Sequence, residues 1–234
     1  MLSIIIPCYN EADNIPHLIT ACLQAMPASF SGEIILVNNG STDNTSDILT
    51  QYIPANSVFR TIDIEKNKGY GHGILTGLAA ARGEVLAWTH ADCQTDPQDV
   101  FRAYDRYLQH GQADVFVKGH RIGRRYSEWF FSAMMQAIAS ICLRTRLTDI
   151  NAQPKLFSRA FYKRHIQNQA PEDFSLDLYV LLQATRHRSI DTIPVFFHQR
   201  TRGEAKGGGS MRTRIRLINR TLRYIIQLAK KVAL

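Results

Sequence analysis

The chain has 234 residues, 45% hydrophobic and 21% charged, with 14 Gly and 8 Pro in no repeating period; this fits one domain with one sizeable core and excludes fibrous, collagen-like and wholly disordered chains. No apolar run reaches the roughly 18 residues that would mark a membrane-spanning helix. Lys and Arg total 28 against 20 Asp and Glu, but seven of the basic residues (Arg212, Arg214, Arg216, Arg220, Arg223, Lys230, Lys231) fall within Met211–Leu234, which holds no acid, so the rest of the chain is nearly neutral and does not read as a nucleic-acid binder.

The N-terminus runs without a basic region or cleavage site into Ser3–Ile6, which predicts a strand and no signal peptide. Asn10, with Asp13 three residues on, predicts a capped helix start, continued by Ile15, Leu18, Ile19, Cys22 and Leu23 at helical spacing. Glu33–Val37 predicts a second strand ended by Asn39-Gly40, then a helix from Ser41 or Thr42 to about Tyr52, and Val58–Ile64 a third strand. Lys68–Gly73 reads as a glycine-rich turn before a helix over Ile74–Ala81, and Glu84–Trp88 and Pro97–Gln109 as a fourth strand and helix. Further on come a strand over Asp114–Lys118 and an apolar helix over Trp129–Leu143, expected in the core. A polar turn over Asp149–Phe157 then enters a short strand, followed by a helix over Phe174–Ala184 and a strand over Thr192–Phe197. Arg200–Ser210 is a glycine-rich loop too polar to pack. The expected division is a domain over 1–210 and a C-terminal helix over 211–234.

Repeated strand-then-helix units imply an α/β fold, a mostly parallel central sheet with helices on both faces. Ligands bind beyond the carboxyl ends of such strands. Three polar clusters fall there: Tyr9-Asn10-Glu11, Asn38-Asn39-Gly40-Ser41 and His90-Ala91-Asp92-Cys93-Gln94. In the last, residues 90 and 92 share a side, and the Asp92 carboxylate suits a hard divalent ion held against a diphosphate. Cys8, Cys22, Cys93 and Cys142 lack C-x-x-C spacing and read as reduced thiols in a cytoplasmic protein.

With Ile4–Glu11, Ile35–Asp43, Asn67-Lys68-Gly69-Tyr70-Gly71, His90–Gln94, Asp149–Arg159 and Arg200–Lys206 in that order, the chain resembles the family-2 inverting glycosyltransferases of the GT-A (Rossmann-like) fold. It is most like the dolichol-phosphate mannose synthase-like and polyprenyl-phosphate sugar transferases. The resemblance implies a nucleotide-sugar donor and roles for particular residues. Pro7, Tyr9, Glu11 and Asn39 would face the nucleoside. Gly71 and Ala91 would line the donor site. Asp92 and Gln94, with His90, would hold Mg²⁺ or Mn²⁺ and the diphosphate. Arg121 would bind phosphate, and Arg202 and Lys206 would act from a closing loop. Asn38-Asn39 stands where the family has two acids, His90 where it has Asp, and Ala152-Gln153-Pro154 where it has Ser-Gly-Phe. Histidine favours Mn²⁺ over Mg²⁺, and an Asn39 amide, able to accept and donate at once, favours uracil over guanine.

Transfer to a hydroxyl requires a carboxylate base, for which the stretch Pro171–Asp177 offers Asp173 or, less easily explained as a helix cap, Asp177; transfer to a lipid phosphate requires none. The tail places Met211, Ile215, Ile218, Leu222, Ile225, Ile226 and Ala229 on one helical face opposite arginines, the composition of an interfacial helix, although packing on the domain or on a second subunit would use the same face. The expectation is a transferase acting on a lipid-linked acceptor, peripheral at the cytoplasmic face of a membrane. The alternatives are transfer to a glycan or soluble hydroxyl, and a silent nucleotide-binding scaffold.

Overall fold

The computed structural model describes residues 1–53, 58–111, 114–123, 126–198 and 211–232. In chain order the elements are β1 Leu2–Cys8, α1 Ile15–Ala25, β2 Gly32–Asn39, α2 Thr45–Tyr52, β3 Phe59–Ile64, α3 Tyr70–Ala80, β4 Val85–Trp88 and α4 Gln98–Gln109. They continue with β5 Val115–Ile122, α5 Tyr126–Cys142, β6 Lys155–Ser158, α6 Arg159–His165, α7 Leu176–His187, β7 Ser189–Phe196 and α8 Met211–Val232. The seven strands form one sheet in the order β3-β2-β1-β4-β6-β5-β7. All neighbours are parallel except β6, which runs antiparallel to both β4 and β5.

Strand alternation divides the core in two. Ile5, Ile35, Val37, Leu86 and Phe116 point to the face covered by α3, α5, α6, α7 and α8. Ile4, Ile6, Ile34, Leu36 and Val117 point to the other, covered by α1, α2 and α4. Chain order reverses beside β1, which lies between β2 and β4, and the loops leaving β1 and β4 diverge at that switch point.

Several boundaries differ from the sequence expectation for identifiable reasons. Asn10 does not cap a helix. It sits at φ 52°, its amide donates to Thr42 Oγ1 at 3.1 Å, and its carbonyl accepts from the Thr42 N–H at 2.7 Å. The helix starts instead after Asn14, with Pro16 in its first turn, where a missing N–H costs nothing. Likewise α2 starts at Thr45, because Asp43 accepts from Thr45 N–H and Oγ1 at 3.0 and 2.6 Å. The supposed turn before Ile74 is helical from Tyr70. Its glycines serve close packing: a Cβ on Gly77 would lie 2.5 Å from Ile5 Cγ2, and one on Gly71 2.6 Å from the Glu172 backbone. The short α6, capped by Ser158 Oγ accepting from Phe161 N–H, carried no recognised signal.

The C-terminal helix packs on the domain. Ile225 and Leu228 are buried in the core beneath Leu222 and Ala229, and Arg220 reaches Asp173 at 2.7 Å. Along 222–229 the apolar face expected to meet a membrane is therefore covered by the protein itself, with Ile226 left exposed. The side chains of Met211 and Ile215 lie outside the described ones. The helix over Trp129–Leu143 was expected in the core, yet α5 buries Ala139 there and leaves Trp129, Phe130, Met134 and Ile141 exposed. No helix among the described residues is long and apolar enough to cross a membrane.

Candidate active site

The loops after β1 and β2 are laced together. Asn10 N–H donates to Ser41 Oγ at 3.0 Å and Glu11 N–H to Thr45 Oγ1 at 2.9 Å. Pro7 stands opposite Val37 in register, Tyr9 is half-buried, and Glu11 is buried, accepting from Asn14 Nδ2 at 2.5 Å. Across β4, Asp92 Oδ1 accepts from Gln94 N–H at 3.2 Å. Gln94 in turn is stitched to the end of β7, its Nε2 donating to His198 O at 3.1 Å and its carbonyl accepting from His198 N–H at 2.9 Å. The carboxyl edge of the sheet thus gathers Pro7, Tyr9, Glu11, Asn39, His90, Ala91, Asp92 and Gln94, with Arg121 near the end of β5. Arg202 and Lys206 lie outside the described residues.

Several of these side chains are already engaged. Asn39 is buried, and its amide donates to Gly69 O at 2.9 Å while Oδ1 has no hydrogen-bond partner; flipping the amide would set two oxygens against each other. One of its two N–H groups is thus spent on the α3 entry, while the buried Oδ1 keeps its acceptor capacity. Gly71 is buried against the Pro171–Asp173 backbone and Ala91 in the apolar core, so both shape the floor without a polar contribution. Arg121 forks onto Asp149, with Nε and Nη2 at 2.8 and 2.6 Å from Oδ1, and its guanidinium lies 5.5 Å over the Phe197 ring. The positive charge expected to meet phosphate is largely answered within the protein.

His90 stacks on Tyr70 with centroids 5.8 Å apart, and Tyr70 stacks on Phe174 at 5.2 Å and 5°. This three-ring stack closes the floor of the edge. Beneath it lies a polar cluster which the sequence did not disclose. Asp177 is buried and accepts from Lys155 Nζ and from Gln153 Nε2, the latter at 3.0 Å. Gln153 also reaches Tyr70 Oη at 3.4 Å, and Lys155 lies 5.4 Å over Trp88. Burial pulls Lys155 down from the ordinary lysine value, with Asp177 opposing, and pulls the neighbouring Lys118 down to about 7. Burial, then the Asp177 charge, raises the Tyr70 phenol. Asp177 is therefore held inward in an ion pair with Lys155. Asp173 is held as well, Oδ1 accepting from Ser175 N–H at 2.8 Å and Oδ2 pairing with Arg220. The advance signals of this cluster were Asp177, less easily explained as a helix cap, and the Gln153 departure.

Among the described residues no three His, Cys, Asp or Glu side chains converge as a metal-ligand set. Asp92 alone provides a half-buried carboxylate at the end of β4. One carboxylate suits an octahedral cation that takes its other ligands from diphosphate and water, and does not suit a resident protein-caged ion.

A family profile described as Glycosyl transferase family 2 matches residues 3–169. An undecaprenyl-phosphate 4-deoxy-4-formamido-L-arabinose transferase of Sodalis glossinidius is 28% identical over 211 residues, covering 88% of this chain and 62% of that protein. An uncharacterised glycosyltransferase of Synechocystis is 27% identical over 175 residues, covering 73% and 54%. The chain thus spans under two thirds of the length of both curated relatives. Among solved structures, glucosyl-3-phosphoglycerate synthase of Mycobacterium tuberculosis with Mn²⁺, UDP and glucosyl-3-phosphoglycerate superposes with TM-score 0.70 at 16% identity, over 98% of this chain and 79% of that one. A mannosyltransferase of Pyrobaculum calidifontis with GDP-mannose and Mn²⁺ superposes with TM-score 0.62 at 19% identity, over 89% and 58%. These two share the fold.

Proposed function

The chain belongs to glycosyl transferase family 2, and from that premise we propose that it transfers a sugar, with inversion, from a nucleoside diphosphate sugar to a phosphate carried on a lipid. The observation that carries the acceptor class is the engagement of its two candidate bases. Asp177 is buried against Lys155, and Asp173 is tied to Ser175 and Arg220. A hydroxyl nucleophile needs a carboxylate to take its proton, whereas a phosphate oxygen is already anionic and attacks without one. The acceptor named for the Sodalis relative is of that class.

In this reading the new bond joins a phosphate oxygen of the acceptor to the anomeric carbon, and the nucleoside diphosphate departs with the electron pair of the broken C–O bond. Asp92 would hold a divalent cation, Mg²⁺ or Mn²⁺, whose charge offsets that of the departing diphosphate. The β4–β7 stitch through Gln94 and His198 fixes the loop that carries Asp92. The Arg121–Asp149 fork holds the end of β5 in place. Arg202 and Lys206 are the proposed cations of the closing loop. The donor is assigned at the level of a nucleoside diphosphate sugar.

The test is a panel of UDP- and GDP-sugars with Mn²⁺ or Mg²⁺, offered a polyprenyl phosphate, the matching polyprenol and a glycan. Product on the polyprenyl phosphate alone is expected. Transfer to polyprenol or to the glycan, with none to the phosphate, overturns the acceptor assignment.

A further inference from the structure

Away from the sheet edge, α7 and α8 leave a cavity between them, and the loop that follows α6 completes its lining. Its volume is about 790 Å³, the size of a small-molecule site. Tyr179, Gln183 and Arg186, spaced as one stripe of α7, form one wall, Tyr224 and Gln227 of α8 form the other, and Asn168 stands in the loop. None of the residues assigned to the donor site lines it.

The lining decides what fits. Asn168, Gln183 and Gln227 carry amides, each able to donate and accept at once, and Tyr179 and Tyr224 carry phenols. Tyr179 Oη donates to His165 O at 3.0 Å, whereas the side chains of Asn168, Tyr224 and Gln227 make no hydrogen bond to other described residues. Burial, with Tyr179 and Asp173 adding to it, raises the Tyr224 phenol above its ordinary value, so it stays a neutral hydroxyl. Amides and hydroxyls beside aromatic rings match the hydroxyls and C–H faces of a sugar, and a lipid chain would leave them unpaired. No lining residue is acidic. Arg186 is exposed, reaches Leu143 O at 3.5 Å, and pairs with no carboxylate among the described residues. A guanidinium left unanswered at the edge of a sugar-sized cavity selects an anionic group.

We propose that this cavity is a carbohydrate site separate from the donor site, and that it takes a short saccharide bearing one acidic group, carboxylate or phosphate. The sugar hydroxyls meet the amides and phenols, and the acid meets Arg186. Two links join the cavity to the catalytic edge. The loop that lines it runs through Pro171 into Glu172, whose backbone lies against Gly69 and Gly71 at the start of α3. Arg220, one turn before Tyr224 on α8, pairs with Asp173. The inference stands on the cavity and its lining and does not require the lipid-phosphate acceptor.

The experiment is calorimetric titration of the full chain, with and without UDP or GDP and Mn²⁺. The probes are cellobiose, lactose and mannobiose, each as the neutral sugar, with a terminal uronic acid, and as the 1-phosphate. Saturable binding of at least one acidic probe is expected, unaffected by nucleotide and about tenfold tighter than its neutral counterpart; the form that binds distinguishes carboxylate from phosphate. Arg186→Gln should remove that advantage and leave the neutral sugar as it was. Tyr224→Phe combined with Gln227→Ala should weaken the acidic probe about tenfold, with the thermal midpoint kept in both variants. Absence of binding by every probe overturns the proposal, as does equal affinity for neutral and acidic forms. Binding that nucleotide displaces, or that neither variant weakens, also overturns it and assigns the saccharide to the donor site or to another surface.

Discussion

Asp92 and His90 occupy one triplet with opposite commitments. Asp92 has a single local hydrogen bond from Gln94 N–H, leaving a second carboxylate oxygen for a cation, while His90 spends its ring face on Tyr70. Asp92→Asn is expected to lower kcat/KM by more than tenfold, above about 1.4 kcal/mol, with the thermal midpoint unchanged; a smaller loss removes Asp92 from the chemistry. His90→Asp is expected to raise the ratio of Mg²⁺- to Mn²⁺-supported activity, and an unchanged ratio means that His90 does not touch the ion. These residues were legible in the sequence because polar runs directly after buried strands fall at one sheet edge whatever the loop detail. The state of each side chain was not. Asn39, Arg121 and Asp177 carry the groups expected of a binding site, but Gly69, Asp149 and Lys155, which claim them, are distant in sequence, and one chain gives no distances.

At the level of elements, β6 and α7 are joined by the Lys155–Asp177 pair, with Lys155 fully buried. Removing one partner strands the other charge. Lys155→Met should cost roughly 3–5 kcal/mol in urea unfolding, and adding Asp177→Leu should recover most of it, because a packed apolar pair can replace a buried ion pair. Recovery of none would mean that the pair does more than satisfy itself. Gly77→Ala should cost about 1–3 kcal/mol, because the added carbon meets Ile5 at 2.5 Å and α3 must move off β1. Here too the reach of sequence reading is visible. The strands β1 to β4 were found within two residues at either end, since continuous β-branched runs mark buried parallel strands. The helix starts α1, α2 and α3 were misplaced by three to five residues, because side chains that look like caps bond across loops and glycines that look like a turn admit neighbouring backbone. The antiparallel sense of β6 left no local mark at all.

For the molecule as a whole, stability should follow the proton on Lys118. Burial holds it at about 7 in the folded chain against an ordinary 10.5. Between those values the unfolded chain binds the proton and the folded chain does not, so stability rises with pH across that window, by up to ~1.4 kcal/mol per unit. Lys118→Met should flatten the slope when urea midpoints are compared from pH 6 to 10. Deleting Met211–Leu234 should lower stability by several kcal/mol, about 1.5–3 for each of the buried Ile225 and Leu228, and should free Asp173 from Arg220. Truncation is therefore a test of folding before it is a test of lipid contact.

The order β3-β2-β1-β4-β6-β5-β7 also sets a sequence of events on the ribosome. The first four strands are complete once Trp88 has emerged, and β1 is then flanked on both sides. β4, however, has no outer neighbour until Lys155–Ser158 is made, and β5 cannot take its place because β6 lies between them. Throughout synthesis of the intervening chain the nascent sheet carries, besides the β3 edge that stays open in the finished sheet, the open and fully apolar edge of Val85–Trp88, the kind of edge that recruits other strands. At four residues the edge offers few rungs to a foreign strand, so the brevity of β4 serves as protection during translation.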